Sequence, residues 1–166
     1  HQNGMKTLVG AWLGDDLELN EKEIESLITL AKEGCVDIAA VGNEVMYRGD
    51  LTEEQLLAYI NRVKEALPNI PVGYVDAYYE FSHRPNITAA CDVILTNCYP
   101  YWEGCPIEYS LNHMRSMFGS AKDAGQGKRV IITETGWPSD GGSLKGAVAS
   151  NENAIRYFIE TQTWCI

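Results

Sequence analysis

Residues 129–137 read RVIITETGW. Arg129 leads into Val130, Ile131 and Ile132, an unbroken apolar run of the kind found in strands covered on both faces. A carboxylate, Glu134, stands where the run ends, and an aromatic, Trp137, follows three residues later. Residues 37–45, DIAAVGNEV, are built the same way and close on Asn43 and Glu44. Two buried strands that each emerge into a glutamate predict a parallel sheet whose strand ends collect polar groups on one side.

Three further runs share this apolar character: KTLVGAWL (6–13), PVGYVDAY (71–78) and CDVILTNCY (91–99). Helical patterns separate the runs. Between 20 and 34, Ile24, Leu27, Ile28 and Ala31 fall at i, i+3, i+4 and i+7. Asn20 and Glu23 have capping-box spacing there, and Gly34 fits the stop. Thr52 and Gln55 form a second capping box ahead of a face of Leu56, Ile60, Val63 and Leu67, with Pro68 at its end. The stretch up to Ala90 is short and poorly patterned. A later helix carries Leu111, Met114, Phe118 and Ala121 and ends near Gly125; the last starts near Ser150 with Ile155, Phe158 and Ile159.

Five strands alternating with helices leave two α/β architectures, a doubly wound sheet and a (β/α)8 barrel. No G-x-G-x-x-G or G-x-x-x-x-G-K-[ST] follows the first strand, so nucleotide-binding doubly wound folds lose support. Polar and aromatic residues gather instead past the strand ends, at Trp12, Asn43–Glu44, Asp76, Asn97–Tyr99, Glu134 and Trp137. In a barrel those ends share one rim, where active sites sit. The predicted fold is therefore an α/β (β/α)8 TIM barrel, as a single domain over 1–166.

Bulk properties narrow the chemistry. The 166 residues are 45% hydrophobic and 22% charged, as expected for one globular domain. A formal charge of -10, with no Lys/Arg run, argues against a nucleic-acid surface. No apolar run approaches the roughly 20 residues needed to cross a bilayer. Cysteines stand at 35, 91, 98, 105 and 165 with no C-x-x-C pair, which favours buried reduced thiols. Cys91 and Cys98 would be about 23 Å apart along one strand, beyond disulfide reach, while a Cys98–Cys105 bridge stays open. His1, His83 and His113 lack metal-ligand spacing, and Asp15–Asp16 opens no familiar calcium loop. No metal or other cofactor is expected. Asn86-Ile87-Thr88 is a glycosylation sequon that matters only in a secretory setting. Both ends, HQNGMKTLVGAW and TQTWCI, read as cuts through a larger domain.

Glu44 and Glu134 lie 90 residues apart, on strands separated by two others. On an eight-stranded barrel such positions face each other across the mouth. Glycoside hydrolysis needs this pairing: one carboxylic acid protonates the leaving oxygen while a second carboxylate acts at the anomeric carbon. At about 5 Å the second attacks directly and configuration is retained; at roughly 6.5–9.5 Å a water intervenes. Aromatic rims suit the apolar faces of sugar rings. A strand-end glutamate is also a common salt-bridged rim residue, and the residue types alone leave both readings open.

The strings VGNEVMYRGDLT, NCYPYWEG and ITETGWPSDGG, in this order and spacing, resemble the glycoside hydrolase family 17 β-1,3-glucanases, more the bacterial and fungal members than the plant ones. The resemblance covers nearly the whole chain. It implies a (β/α)8 barrel of which this chain holds about five βα units, strands three to seven, with strands one, two and eight absent. Glu44 would be the general acid/base and Glu134 the nucleophile of a retaining reaction. Asn43 would hold the sugar 2-hydroxyl, and Tyr99 would hydrogen-bond the nucleophile or the substrate. Trp102, Glu103 and Trp137 would form subsite walls, with Tyr47, Asp76 and Trp12 as weaker substrate-binding candidates. The implied partner is a β-1,3-glucan such as laminarin, acted on by a secreted or cell-envelope protein. The same residues serve a transglycosylase, and a truncated barrel could also be a non-catalytic glucan-binding module. Five strands alone would leave two sheet edges unpaired, an invitation to self-association.

Overall fold

The structure, a computed structural model, describes residues 3–165. In chain order it contains β1 (Leu8–Ala11), α1 (Leu17–Lys32), β2 (Ile38–Asn43), the single helical turn α2 (Val45–Arg48) and α3 (Glu53–Ala66). Then come β3 (Val72–Ala77), the short helices α4 (Glu80–His83) and α5 (Pro85–Ala90), β4 (Val93–Asn97) and α6 (Ser110–Ala124). The chain closes with β5 (Arg129–Glu134), a small hairpin of β6 (Ser143–Leu144) and β7 (Ala147–Val148), and α7 (Asn151–Cys165). The strands β1 to β5 form one parallel sheet in sequence order. Each strand is followed by helix, so the chain contains five consecutive βα units of a (β/α)8-type architecture. Among the described residues no helix is long and apolar enough to cross a membrane.

Local chemistry sets the helix ends, with some departures from the sequence pattern. Thr52 accepts from the Gln55 amide while the Gln55 side chain accepts from the Thr52 amide, the expected capping box. At α1 the expected box at Asn20 and Glu23 does not form. The helix starts earlier, because Asp16 accepts from the Leu19 amide. Asn20 lies buried inside it, bonded through its amide to both backbone groups of Gly14. The poorly patterned stretch before Ala90 contains α4 and α5, held by Thr88 Oγ1 donating to the Phe81 carbonyl at 2.6 Å. On α6 the deepest residues are Met114, Met117 and Ala121, and Phe118 is only half-buried at the flank. On α7 the apolar triplet does not mark the buried face: Ile155, Phe158 and Ile159 are exposed, while Tyr157 and Thr161 turn inward.

Most of the core lies between the sheet and its helices. Leu27 and Ile24 of α1, Leu56, Ile60 and Val63 of α3, and Tyr74 and Ile94 of the sheet belong to one continuous cluster. The opposite, concave face carries small and branched residues, with Ala40, Val75, Val93 and Leu95 in contact. Strands β3 and β4 are buried almost throughout, whereas β1 and β5, each paired on one side only, are partly open. All five cysteines are free. Cys91 and Cys98 are buried, but Cys35 and Cys165 are exposed, and the bridge between Cys98 and Cys105 is not made. The Cys105 thiol instead donates to the Pro106 carbonyl.

The tight centre of the sheet gives a stability test. A Cβ on Gly73 of β3 would stand 2.6 Å from the Val93 carbonyl oxygen and 2.9 Å from two Leu95 carbons. A Cβ on Gly10 of β1 would meet nothing closer than 3.5 Å. Gly73→Ala is expected to destabilise the fold by about 1–3 kcal/mol through overpacking, and Gly10→Ala to change stability little. Urea unfolding followed by circular dichroism checks both.

Candidate active site

The two strands that end in glutamate each carry one extra residue. Along β2 and β3, Ala40 pairs with Gly73 but the next partners are Asn43 and Val75, three residues on one strand against two on the other. Along β4 and β5, Thr96 pairs with Ile132 and Asn97 with Glu134, so β5 gains one residue. Such a bulge bends the strand and shifts its side-chain alternation. Asn43 thereby comes level with concave-facing Val75. Gly42 makes the first bulge with φ +82°, a conformation that side-chain-bearing residues seldom adopt, and a Cβ there would approach Val45 Cγ2 to 2.8 Å. Glu44 follows at φ 53°, also left-handed, and opens α2.

The bulges bring both glutamates to one cleft. Glu44, Tyr47, Tyr78, Tyr79, Asn97, Tyr99, Trp102, Glu103 and Glu134 line a cavity of about 410 Å³ at the C-terminal ends of the strands. The end of β4 connects the two carboxyls. Asn97 Nδ2 donates to Glu44 Oε1 at 3.0 Å, while Tyr99 Oη donates to Glu134 Oε2 at 3.0 Å. Asn97 is itself held by Thr133 Oγ1, which donates to its Oδ1 at 2.8 Å. Neither glutamate has an Arg or Lys ion-pair partner among the described residues. Each keeps one carboxyl oxygen outside these bonds.

Electrostatics follow from the crowding of acids. Burial, the hydrogen bond to Glu134 and the charges of Glu134 and Glu44 push the Tyr99 hydroxyl up to about 12. It therefore remains a neutral donor over the whole working range. Burial, then the charge of Glu103 and a hydrogen bond to it, raises Tyr78 to about 12. At the outer wall Glu103 meets His113 Nε2 at 2.6 Å, and Trp102 is 67% exposed, an open aromatic platform. The loop bearing both residues is locked to the hairpin: Gly146 N donates to the Gly104 carbonyl at 3.1 Å. A Cβ on Gly104 would strike Lys145 at 2.7 Å.

Other expected residues lie elsewhere. Trp12 and Asn43 line the neighbouring concave face together with Glu134. Trp12 is exposed beneath the Arg48 guanidinium, 4.9 Å from its ring centre. Trp137 is buried between Tyr101 and Tyr157, and its Nε1 donates to the Val148 carbonyl, so it supports the wall from behind. Asp76 is fully buried and does not line the cleft. The strand's alternation explains this: Val75 faces the concave side, so Asp76, like Tyr74, faces the helices. The strand-end pattern includes Asn97 without giving it a role, and it does not include Tyr79 or assign one to Tyr78, although both line the cleft. What position alone does not reveal is the hydrogen bond from Asn97 to Glu44. Asn86 Nδ2 of the sequon donates to Glu53, and His1 lies outside the described residues. Among the described residues no group of three or more His, Cys, Asp or Glu side chains is placed to hold a metal ion.

A family profile described as the BtgE/BtgC glycoside hydrolase domain matches residues 1–165. The chain is 31% identical over 171 residues to a glucan 1,3-β-glucosidase of Arthroderma benhamiae, covering 95% of this chain and 55% of that protein. It superposes with a TM-score of 0.87, at 33% identity, on an active-site mutant of a β-1,3-glucanosyltransferase from Rhizomucor miehei in complex with laminaritriose. That match covers 99% of this chain and 64% of the other. The glycoside hydrolase family 17 β-1,3-glucanosyltransferase from the same fungus superposes at 0.84 with 35% identity, over 94% of this chain and 59% of that one. The chain spans about half the length of the curated relatives it matches.

The coupling of Tyr99 to the two carboxylates is measurable. Glu134→Gln removes a charge and an anionic acceptor, so the Tyr99 hydroxyl is expected to fall from about 12 towards the ordinary tyrosine range. Glu44→Gln, which removes only a more distant charge, should produce a smaller fall. Carbon-13 tyrosine NMR across an alkaline titration reports both.

Proposed function

The chain belongs to the BtgE/BtgC glycoside hydrolase family, and from that premise we propose that its cleft binds a β-1,3-glucan and cleaves it with retention of configuration. The observation that carries this reading is the shared cleft. Two glutamates at bulged strand ends, neither ion-paired to Arg or Lys among the described residues, each receive one neutral hydrogen bond from the end of β4. Glu44 acts as general acid and Glu134 as nucleophile. Protonated Glu44 gives its proton to the glycosidic oxygen as the bond to the anomeric carbon breaks, and Glu134 closes an ester on that carbon. The released sugar leaves, and ionised Glu44 takes a proton from water, whose oxygen then displaces Glu134 and regenerates both groups.

Neighbouring residues divide the remaining work. Tyr99, kept neutral, occupies one oxygen of Glu134 and leaves the other for attack. Asn97 orients Glu44. Asn43, at the edge of the concave face beside Glu134, takes the sugar 2-hydroxyl. Trp102 offers a ring face to an outer sugar, with Glu103 and Tyr47 as hydroxyl partners. A second reading, transfer to another sugar in place of water, is favoured by the likeness to the Rhizomucor miehei glucanosyltransferase and by the exposed Trp102 platform. It uses the same two glutamates with a sugar hydroxyl as the incoming group.

Glu134→Gln is expected to lower release of reducing sugar from laminarin by roughly three orders of magnitude or more, while laminarin pull-down persists. Proton NMR of the first product should show the β-anomer. Release at the wild-type rate would remove Glu134 from its role, and an α-anomer would replace direct attack with a water-mediated route. Oligosaccharides longer than the substrate, seen by mass spectrometry, mark transfer. Wild-type binding with no release would leave a glucan-binding module.

A further inference from the structure

Strand β3 carries a buried acid for which the proposed chemistry has no use. Asp76 has no exposed surface, and an ionised carboxylate in such a place is held at a cost to the fold. Its bonds lead to the acid/base turn. Oδ1 accepts from its neighbour, the Ala77 amide, at 2.7 Å. Oδ2 accepts from the Tyr74 hydroxyl and, at 3.3 Å, from the Tyr47 amide. The Tyr74 oxygen in turn accepts from the Met46 amide at 2.8 Å. Both amides belong to the first turn of α2, whose donors have no partner within the helix, and the Glu44 side chain does not cap them. Asp76 therefore collects the free donors of the turn that begins at Glu44.

That turn needs an anchor. Glu44 sits at φ 53°, ψ 28°, a left-handed conformation that persists in a side-chain-bearing residue only when its surroundings over-determine it. On one side its amide donates to the Val75 carbonyl at 2.8 Å. On the other the chain enters α2, where Tyr74 and Asp76 hold the next donors. We propose that Asp76, directly and through Tyr74, is the positioning group that fixes the left-handed turn at Glu44 and so aims its carboxyl into the cleft. This rests on the reading of Glu44 as acid/base for its consequence in catalysis, though not for the anchor itself.

The surroundings make the anchor sensitive to pH. Facing Asp76 are Tyr74 on its own strand, Tyr79 at the strand exit, and Glu80 on α4, which is ion-paired to Arg84. On α2, Arg48 is engaged with Asp50 and Trp12 instead. Burial, with the charge of Glu80, outweighs the hydrogen bonds and raises Asp76 to about 6. Because this lies above the ordinary carboxylate value, the fold loses stability as pH rises through about 6. The ionised form that grips α2 best is thus the one the fold tolerates least. Below that pH the protonated carboxyl is a poorer acceptor for the α2 amides.

The test joins NMR to kinetics in wild type, Asp76→Asn and Tyr74→Phe. The amide signals of Glu44, Met46 and Tyr47 should titrate together near pH 6 in wild type and lose that step in Asp76→Asn. With laminarin at pH 7, kcat should fall roughly 10- to 100-fold in Asp76→Asn with KM nearly unchanged. Its melting temperature at pH 7.5 should stay level or rise, which a merely structural role would not allow. Tyr74→Phe should shift the Met46 amide most. Glu44, Met46 and Tyr47 amide signals unmoved by Asp76→Asn, or full kcat in folded Asp76→Asn, would overturn the proposal. A wild type that titrates as described but releases no sugar would remove the catalytic reading and leave the anchor standing.

Discussion

The end of strand β4 is the point on which the cleft depends. Parallel pairing sets each strand end level with its neighbours, and β4 lies between the two strands that lead to a glutamate, next to β5 and one strand, β3, away from β2. Its Asn97 reaches Glu44 and its Tyr99 reaches Glu134. The two contacts are possible because β2 and β5 each carry one more residue than their partners before the glutamate arrives. A regular ladder would leave the alternation of side chains unbroken, with Asn43 on the helix-covered face. The bulges spend a ladder position on each strand to re-aim the residues beyond it.

Much of this was legible in the sequence because burial leaves a strong compositional trace. Parallel strands covered on both faces are nearly continuous apolar runs, so all five emerged, with their order and the two glutamates at their ends. The Thr52–Gln55 box was readable because its partners are local. The features that escaped depend on non-local geometry. Asp76 follows a strand run much as Glu44 does, yet the period of two turns it towards the helices. Trp137 follows its glutamate closely but folds behind the wall. On α7 the apolar triplet is visible in the sequence and is nonetheless exposed, because amphipathic spacing shows that a face exists without showing what it meets.

The sheet is also uneven in a way composition does not reveal. Its helix-covered side is a continuous core, whereas the concave side is filled only near the centre, where Val75, Val93 and Leu95 meet. Small residues at Gly10, Ala40 and Gly42 leave a space of about 570 Å³ along that surface, open towards Asn43 and Glu134. Rigidity is thereby concentrated in β3 and β4, and the groups that orient both glutamates are mounted on the better-buried half of the sheet.

The interlocked glycines at 104 and 146 carry a consequence for how such a cleft can diversify. Trp102 and Glu103 stand on a loop whose backbone is hydrogen-bonded to the hairpin and packed against the Lys145 side chain, with no room at either glycine for a side chain of its own. Lengthening or reshaping the hairpin would tilt the platform while leaving the Glu44 and Glu134 carboxyls in place. The shape of the cleft mouth can therefore drift through residues that do not line it.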